Sequence, residues 1–313
     1  MCKLAIVGSG VVGQATGRGF STNGHDVTFC DINQQTIDEL QKNGYKACLP
    51  ESMAGESQNF DAFFMSVSTP TNDGKIFLEH IISATKQLGQ GALKKNRGYC
   101  VVVPRSTLPP GTTERVIIPT LEKNSGKKAG RDFGVCFNPE FLREVSAEKD
   151  FVNPRLVVIG ELDRKSGKKV DEIYSWAECP IVHTTLAEAE AEKYVHNLFN
   201  AVKIAFFNEM RGALGKYDHM DIDGIFQLVA KSAEGCWNPM YGLKNLGPFD
   251  GSCLPKDTEA FLGWAKSEFG IDLPILRTTV EENRKLTKKS RKINGKPVAH
   301  PRVPCFGTLV ANR

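Results

Sequence analysis

KLAIVGSGVVGQATGRGFSTNGHDVTFCD, residues 3–31, reads as an apolar strand, a glycine turn, a helix and a second apolar strand. Within it Gly8-x-Gly10-x-x-Gly13 ends the first strand and opens the helix, and Asp31 closes the second strand eighteen residues after Gly13. Gly8 allows the tight turn, Gly10 lets backbone approach a pyrophosphate, and Gly13 lets helix pack on strand. The helix beginning at Val11 and Val12 offers its N-terminus to an anion. A carboxylate at Asp31 accepts hydrogen bonds from adenosine ribose hydroxyls and repels a 2′-phosphate, so the stretch predicts a site for NAD in preference to NADP.

Outward from this unit, strand-like runs recur at 61–67, 99–107, 132–140 and 155–161, separated by segments of helical period such as 78–88. That alternation predicts an α/β fold whose N-terminal part is a Rossmann-like, doubly wound parallel sheet. From Leu186 the texture changes: apolar residues recur at three and four positions without Pro or Gly until Gly212, which predicts one long helix. Helical stretches at 222–233, 257–268 and 274–288 make the second part an all-helical domain around that long central helix. The expected boundaries are 1–180 for the dinucleotide domain, 181–288 for the helical domain and 289–313 for a basic tail.

The 313 residues are 41% hydrophobic and 24% charged, ordinary for a soluble globular protein, and no apolar run is long enough for a membrane span. A cytoplasmic location is expected. The nine cysteines are scattered without CxxC pairs or metal-ligand spacing to histidine, so neither a disulfide framework nor a metal site is expected, and most should be small core residues. The net charge of +4 belongs to the tail, since residues 284–313 hold nine Lys and Arg and no acid. That tail has no aromatic interleaving and matches no recognised module, so nucleic acid is not the expected partner.

Five further positions carry chemistry. Lys193 and Asn197 share a face of the long helix and read either as surface or as a cleft-lining pair able to bond one substrate oxygen. Glu140 and Thr107 each end a strand, where the cleft of an open α/β sheet lies, and read equally as a loop carboxylate and a turn threonine. Cys253 sits in GPFDGSCLPKD, 247–257, among glycines and beside Lys256, where a core cysteine is out of place and a nearby cation or helix N-terminus favours the thiolate.

Together and in this order, these segments resemble those of the UDP-glucose/GDP-mannose dehydrogenase family. The matching motifs are GSGVVG at 8–13, STPT at 68–71, STLPPGT at 106–112, NPEFLRE at 138–144, the AE-x-x-K-x-x-x-N helix around Lys193 and Asn197, and GSCLPKD at 251–257. The resemblance covers about residues 1–290. It implies oxidation of a nucleotide sugar's C6 alcohol, of the UDP-glucose type, to a carboxylate in two NAD-dependent steps. In that scheme Lys193 and Asn197 polarise the C6 oxygen, while Thr107 and Asp257 position a water. Cys253 forms a thiohemiacetal and then a thioester, and Glu140 assists its hydrolysis. Ser68, Thr69, Pro70, Thr71, Ser106, Thr107, Glu144 and Lys256 join the glycine turn around NAD. Phe141, Leu142, Arg143, Glu144, Lys244, Phe249 and Gly251 join Glu140, Lys193 and Asn197 around the substrate, and a homodimer forms through the long helix.

The chain departs from the family pattern at Pro248 and Asp250, which stiffen the cysteine loop and add a negative charge. Cys236-Trp237-Asn238-Pro239 stands where some relatives carry a basic residue reaching across the dimer. Relatives also carry a third domain that grips the base, and the tail reads as the lead-in to it without the length to build it. Two other readings follow: a catalytically impaired nucleotide-binding homologue, and a two-electron β-hydroxyacid dehydrogenase, against which Cys253 and Glu140 argue.

Overall fold

The structure is a computed structural model and describes residues 1–55, 59–243 and 247–294. Lys244 and the tail from residue 295 lie outside the described residues. The chain forms β1 (Lys3–Val7), α1 (Val11–Thr22), β2 (Asp26–Cys30), α2 (Gln34–Lys42), β3 (Lys46–Cys48), β4 (Ala62–Met65), β5 (Thr71–Asn72), β6 (Lys75–Ile76), α3 (Glu79–Leu88), β7 (Val101–Pro104), α4 (Ile118–Ser125), β8 (Gly134–Phe137), α5 (Ala147–Val152), β9 (Val157–Glu161), α6 (Arg164–Ile173) and β10 (Ile181–Thr185). The helices α7 (Leu186–Leu214), α8 (Ile222–Ser232), α9 (Glu234–Trp237), α10 (Leu254–Phe269) and α11 (Pro274–Asn294) follow. Two compact units result, Met1–Asn197 and the residues from Leu198 on, and α7 contributes to both. No helix of the described residues is long and apolar enough to cross a membrane.

In the first unit the strand order is β10-β9-β8-β7-β4-β1-β2-β3. The strands from β3 to β8 are parallel in the doubly wound order, and the chain direction of the connections reverses between β1 and β4. Both faces are covered: Leu4, Ile6, Phe64, Val101 and Val103 enter one core, while Ala5, Phe63, Met65, Val102 and Val135 enter the other. This is why β4 and β7 read as unbroken apolar runs. The parallel expectation holds for these six strands but not for 155–161, because β9 pairs antiparallel with β8 and β10 then follows β9 in parallel. An antiparallel neighbour needs no crossover to the far end of the sheet. The connection over 138–156, with NPEFLRE at its start, therefore stays at the carboxyl end of β8.

The long helix begins where the change of texture places it. Thr185 and Glu188 form a capping box, with Glu188 N–H donating to Thr185 Oγ1 at 3.3 Å and Thr185 N–H donating to the Glu188 carboxylate at 2.9 Å. The second unit has a small core of Ala213, Ala265, Leu273 and Leu276, packed by Met210, Phe261 and Trp264. Glu209 of α7 receives the first free N–H groups of α11, from Ile275 at 2.7 Å and Leu276 at 3.1 Å. Since α11 continues to Asn294, the first residues assigned to the tail are helical.

Candidate functional site

The turn after β1 is held by backbone. Gly8 N–H donates to Cys30 O at 2.8 Å and Ser66 N–H to Val7 O at 2.8 Å, tying the ends of β1, β2 and β4 together. Gly8 has φ +89°, and a Cβ there would lie 2.8 Å from Ser66 O; at Gly13 a Cβ would lie 2.0 Å from Gly8 O. Both positions therefore exclude a side chain. A Cβ on Gly10, in contrast, would meet nothing within 4 Å, and α1 has neither a side-chain cap nor an acidic residue in its first turn. The N–H groups of that turn thus face open space, which suits a pyrophosphate. Asp31 is fixed beside them, accepting from Ser9 N–H at 2.6 Å and Asn33 N–H at 2.9 Å.

These groups line a cleft of about 660 Å³ at the carboxyl ends of the strands, at the point where the strand order reverses. Gly8, Gly10, Val11, Val12, Asp31, Ser68, Thr69, Ser106, Thr107 and Glu140 lie along it. The STPT and RST segments are laced together across its middle by Thr69 Oγ1 donating to Thr107 O at 3.0 Å and Ser106 Oγ donating to Val67 O. Pro70, Thr71 and Glu144 are not among the lining residues. Thr71 instead belongs to a two-strand hairpin turned by Asp73 and Gly74, both at positive φ.

At one side of the cleft Lys193 and Glu140 form an ion pair of 2.9 Å, and the same ammonium donates to the Glu140 carbonyl. Lys193 is 4% exposed, so its ammonium sits largely out of water with Glu140 as its counter-charge. Glu140 Oε2 also accepts from Leu142 N–H at 2.7 Å, and the ammonium lies 5.6 Å from the centre of the Phe141 ring. Burial pushes the neighbouring Glu192 carboxyl up against the pull of Lys193, and burial followed by the Lys193 charge pushes His196 down. Asn197, one turn along, is exposed, so the pair four apart divides into a buried and a solvent-facing member.

In the second unit Cys253 is exposed and is the N-cap residue of α10, with Asp257 N–H donating to its carbonyl at 2.8 Å. Its sulfur lies 3.6 Å from Ser252 Oγ. Lys256 pairs with Asp257, which raises the lysine pKa. Gly247 and Gly251 on either side of Phe249 have φ +83° and +92°, conformations open to glycine. Cys100 and Cys136, by comparison, are fully buried, and burial pushes the Cys100 thiol up to about 12.

Comparison with known proteins agrees with this geometry. The models of the UDP-glucose/GDP-mannose dehydrogenase family match residues 2–51 and 49–178 as the NAD binding domain and 187–285 as the central domain. The chain belongs to the UDP-glucose/GDP-mannose dehydrogenase family. It is 34% identical to a GDP-mannose 6-dehydrogenase of Azotobacter vinelandii over 92% of this chain and 70% of the relative. It is 32% identical to a UDP-glucose 6-dehydrogenase of Haloferax volcanii over 90% of this chain and 69% of the relative. The crystal structure of a ternary complex of GDP-mannose dehydrogenase from Pseudomonas aeruginosa superposes with a TM-score of 0.83 at 31% identity, covering 94% of this chain and 71% of that one. The first unit up to residue 178 is thus the NAD-binding domain of the family, and its last residues belong to the central domain.

Within that family frame, three polar devices carry no local sequence signal. Glu190, fully buried, accepts from Gly111 N–H, from Thr113 N–H at 2.7 Å and from Thr113 Oγ1 at 2.6 Å, fastening α7 to the loop after Thr107. Arg105, 3% exposed, donates to Asn138 and to Tyr174 Oη at 2.7 Å, and Tyr174 Oη donates to Asn138 at 2.8 Å. That network joins the ends of β7 and β8, from which Thr107 and Glu140 project. The third is Asn283, on α11. The AE-x-x-K motif contained Glu190, but its partners lie more than seventy residues away and only the fold reveals them.

Proposed function

We propose that this chain is an NAD-dependent nucleotide-sugar 6-dehydrogenase that oxidises the C6 alcohol of a sugar of the UDP-glucose type to the acid. The observation that carries the reading is the buried Lys193–Glu140 pair beside the NAD cleft. Of the three N–H bonds on the Lys193 ammonium, two go to residue 140. The third is the donor that would hold the C6 oxygen and stabilise it as it becomes alkoxide-like. Asn197 would share that oxygen, and a water held by Thr107 and Asp257 would take its proton.

Bound NAD+ supplies the hydride acceptor for both oxidations. Between them the Cys253 thiolate attacks the aldehyde carbon, and a C–S bond forms. After the second oxidation that bond joins an acyl group to sulfur, and Glu140 draws a proton from the water that breaks it, freeing the acid and the thiolate. The glycine turn, Asp31, Ser68, Thr69, Ser106 and Thr107 would hold NAD, with Pro70, Thr71, Glu144 and Lys256 as outer contacts. Phe141 to Glu144, Lys244, Phe249 and Gly251 would hold the sugar and diphosphate. A second copy of the chain would cover the row Leu198, Phe199, Val202 and Ile204, each about 60% exposed on α7.

The test is incubation with NAD+ and a panel of UDP- and GDP-sugars, counting NADH per acid formed. Two NADH per acid, together with an acyl adduct on Cys253 in the Glu140→Gln variant by intact mass, is expected. One NADH per sugar, unaltered by Cys253→Ser, would overturn the reading.

A further inference from the structure

We infer that Asn283 is the positioning residue for the Cys253 loop, a role that rests on reading Cys253 as the nucleophile. Phe249 lies between the two positive-φ glycines, four residues before Cys253. Its N–H donates to Asn283 Oδ1 at 2.8 Å, and its carbonyl accepts from Asn283 Nδ2 at 2.9 Å. One carboxamide thus satisfies both polar groups of a single residue, as a partner strand would. Only a side chain with donor and acceptor on one planar head can do so, and glutamine, one methylene longer, would set the loop at a different distance.

Among the described residues, apart from the contact of Ser252 Oγ with the adjacent Cys253 sulfur, no other hydrogen bond or ion pair ties 247–252 to the rest of the second unit. Packing supplements it only in part, with Pro248 and Phe249 half-buried. Phe249, Asp250 and Pro255 border a cavity of about 280 Å³ whose other wall is Val280, Asn283, Arg284 and Thr287 of α11, so the loop stands over open space. The post that holds it is α11, which is anchored by buried Leu276 and Val280 and by the Glu209 carboxylate at its N-terminus. The line of support runs from α7 through α11 and the Asn283 amide to Phe249, and from there to the sulfur at the start of α10. A loop with two glycines and no such clamp samples many conformations, and a nucleophile misplaced by about 1 Å loses on the order of a hundredfold in rate.

The experiment compares the full chain with Asn283→Ala and Asn283→Asp; the aspartate variant keeps the bond from Phe249 N–H and guards against a folding defect. Exchange of the Phe249 amide should rise at least tenfold in the alanine variant and less in the aspartate variant, while alkylation of Cys253 by iodoacetamide changes at least threefold. With sugar nucleotide and NAD+, the alanine variant should form NADH in a ratio falling from two towards one per sugar, with aldehyde released and NAD+ affinity within twofold of the parent. A general folding defect would instead slow both oxidations alike. Unchanged exchange and alkylation in both variants would overturn the inference. Those two measurements decide it even if the parent forms no NADH, an outcome that would count against the proposed activity alone.

Discussion

The glycine turn of the first unit and the cysteine loop of the second are both short, glycine-bearing connections that precede a helix, yet they are held in opposite ways. The turn is locked by backbone hydrogen bonds from β1 to β2 and β4, and a Cβ at Gly8 or Gly13 would strike a carbonyl. The loop is held by one side-chain amide over a cavity, and Cβ atoms on Gly247 and Gly251 would meet nothing within 4 Å. The shape of the glycine turn is therefore a property of the sheet itself, whereas on the inference above the position of the thiol depends on one residue.

The sharpest way to break this comparison is Cys253→Ser. Acid formation should fall by on the order of a thousandfold or more, while stability changes by less than about 0.5 kcal/mol, because the side chain is exposed. A parallel loss of NAD+ affinity, measured by titration calorimetry, would show that the two regions are not separable. In the first unit the effects should be joined. Gly13→Ala, with its Cβ 2.0 Å from Gly8 O, should cost about 3 kcal/mol in urea unfolding and weaken NAD+ by on the order of a hundredfold. Normal affinity in that variant would mean that the turn yields more easily than its contacts imply.

Smaller effects refine the picture. Glu190→Ala leaves the Gly111 and Thr113 donors buried without an acceptor, and should destabilise by about 2 kcal/mol and lower turnover by displacing Lys193. Unfolding midpoints and kcat measured on the same samples will show whether the two move together. Asp31→Asn should cut the preference for NAD+ over NADP+ by about tenfold, the equivalent of about 1.4 kcal/mol, and competitive binding measures it directly.

The smallest effect is at the start of α7, where the Thr184 hydroxyl and then the Thr185 N–H and hydroxyl hold the Glu188 carboxyl down at about 2. A depressed carboxyl contributes stability above its unfolded value of 4.5 and loses it as pH falls through about 2. The stability gap between parent and Glu188→Gln should therefore narrow as pH drops from about 5 to about 2. A gap constant over that range would show the carboxylate to be solvated rather than held.

What was legible in the sequence was local. The turn from Gly8 to Gly13, the four strand-like runs and the start of α7 each declare themselves within a window of a dozen residues. The short strands β3 and β10 did not, since Lys46–Cys48 has three residues and Ile181–Thr185 is only partly buried. The Asp73-Gly74 dipeptide is a turn signal, but no hairpin was read from it, and the reversal at β9 was not signalled at all. For the site, backbone-borne positions such as Gly10 and Asp31 were readable because their chemistry is local. Glu190 and Asn283 act through partners that only folding brings near, and Lys193 gains its character from Glu140, fifty-three residues away.

Helix α1 is held by its neighbours more than by its own residues. Three of its twelve residues, Gly13, Gly17 and Gly19, are glycines, which together cost about 3 kcal/mol of helix propensity relative to alanine. Added Cβ atoms at Gly17 and Gly19 would lie within 2.3 Å of Phe29 and within 2.0 Å of Phe151, so the helix trades intrinsic stability for close approach to its partners. Such a segment has little helical stability of its own and relies on β2 and α5, which carry Phe29 and Phe151, packed against it. The free N–H groups at the start of α1 are therefore presented by a helix whose footing is its neighbours' side chains and not its own sequence.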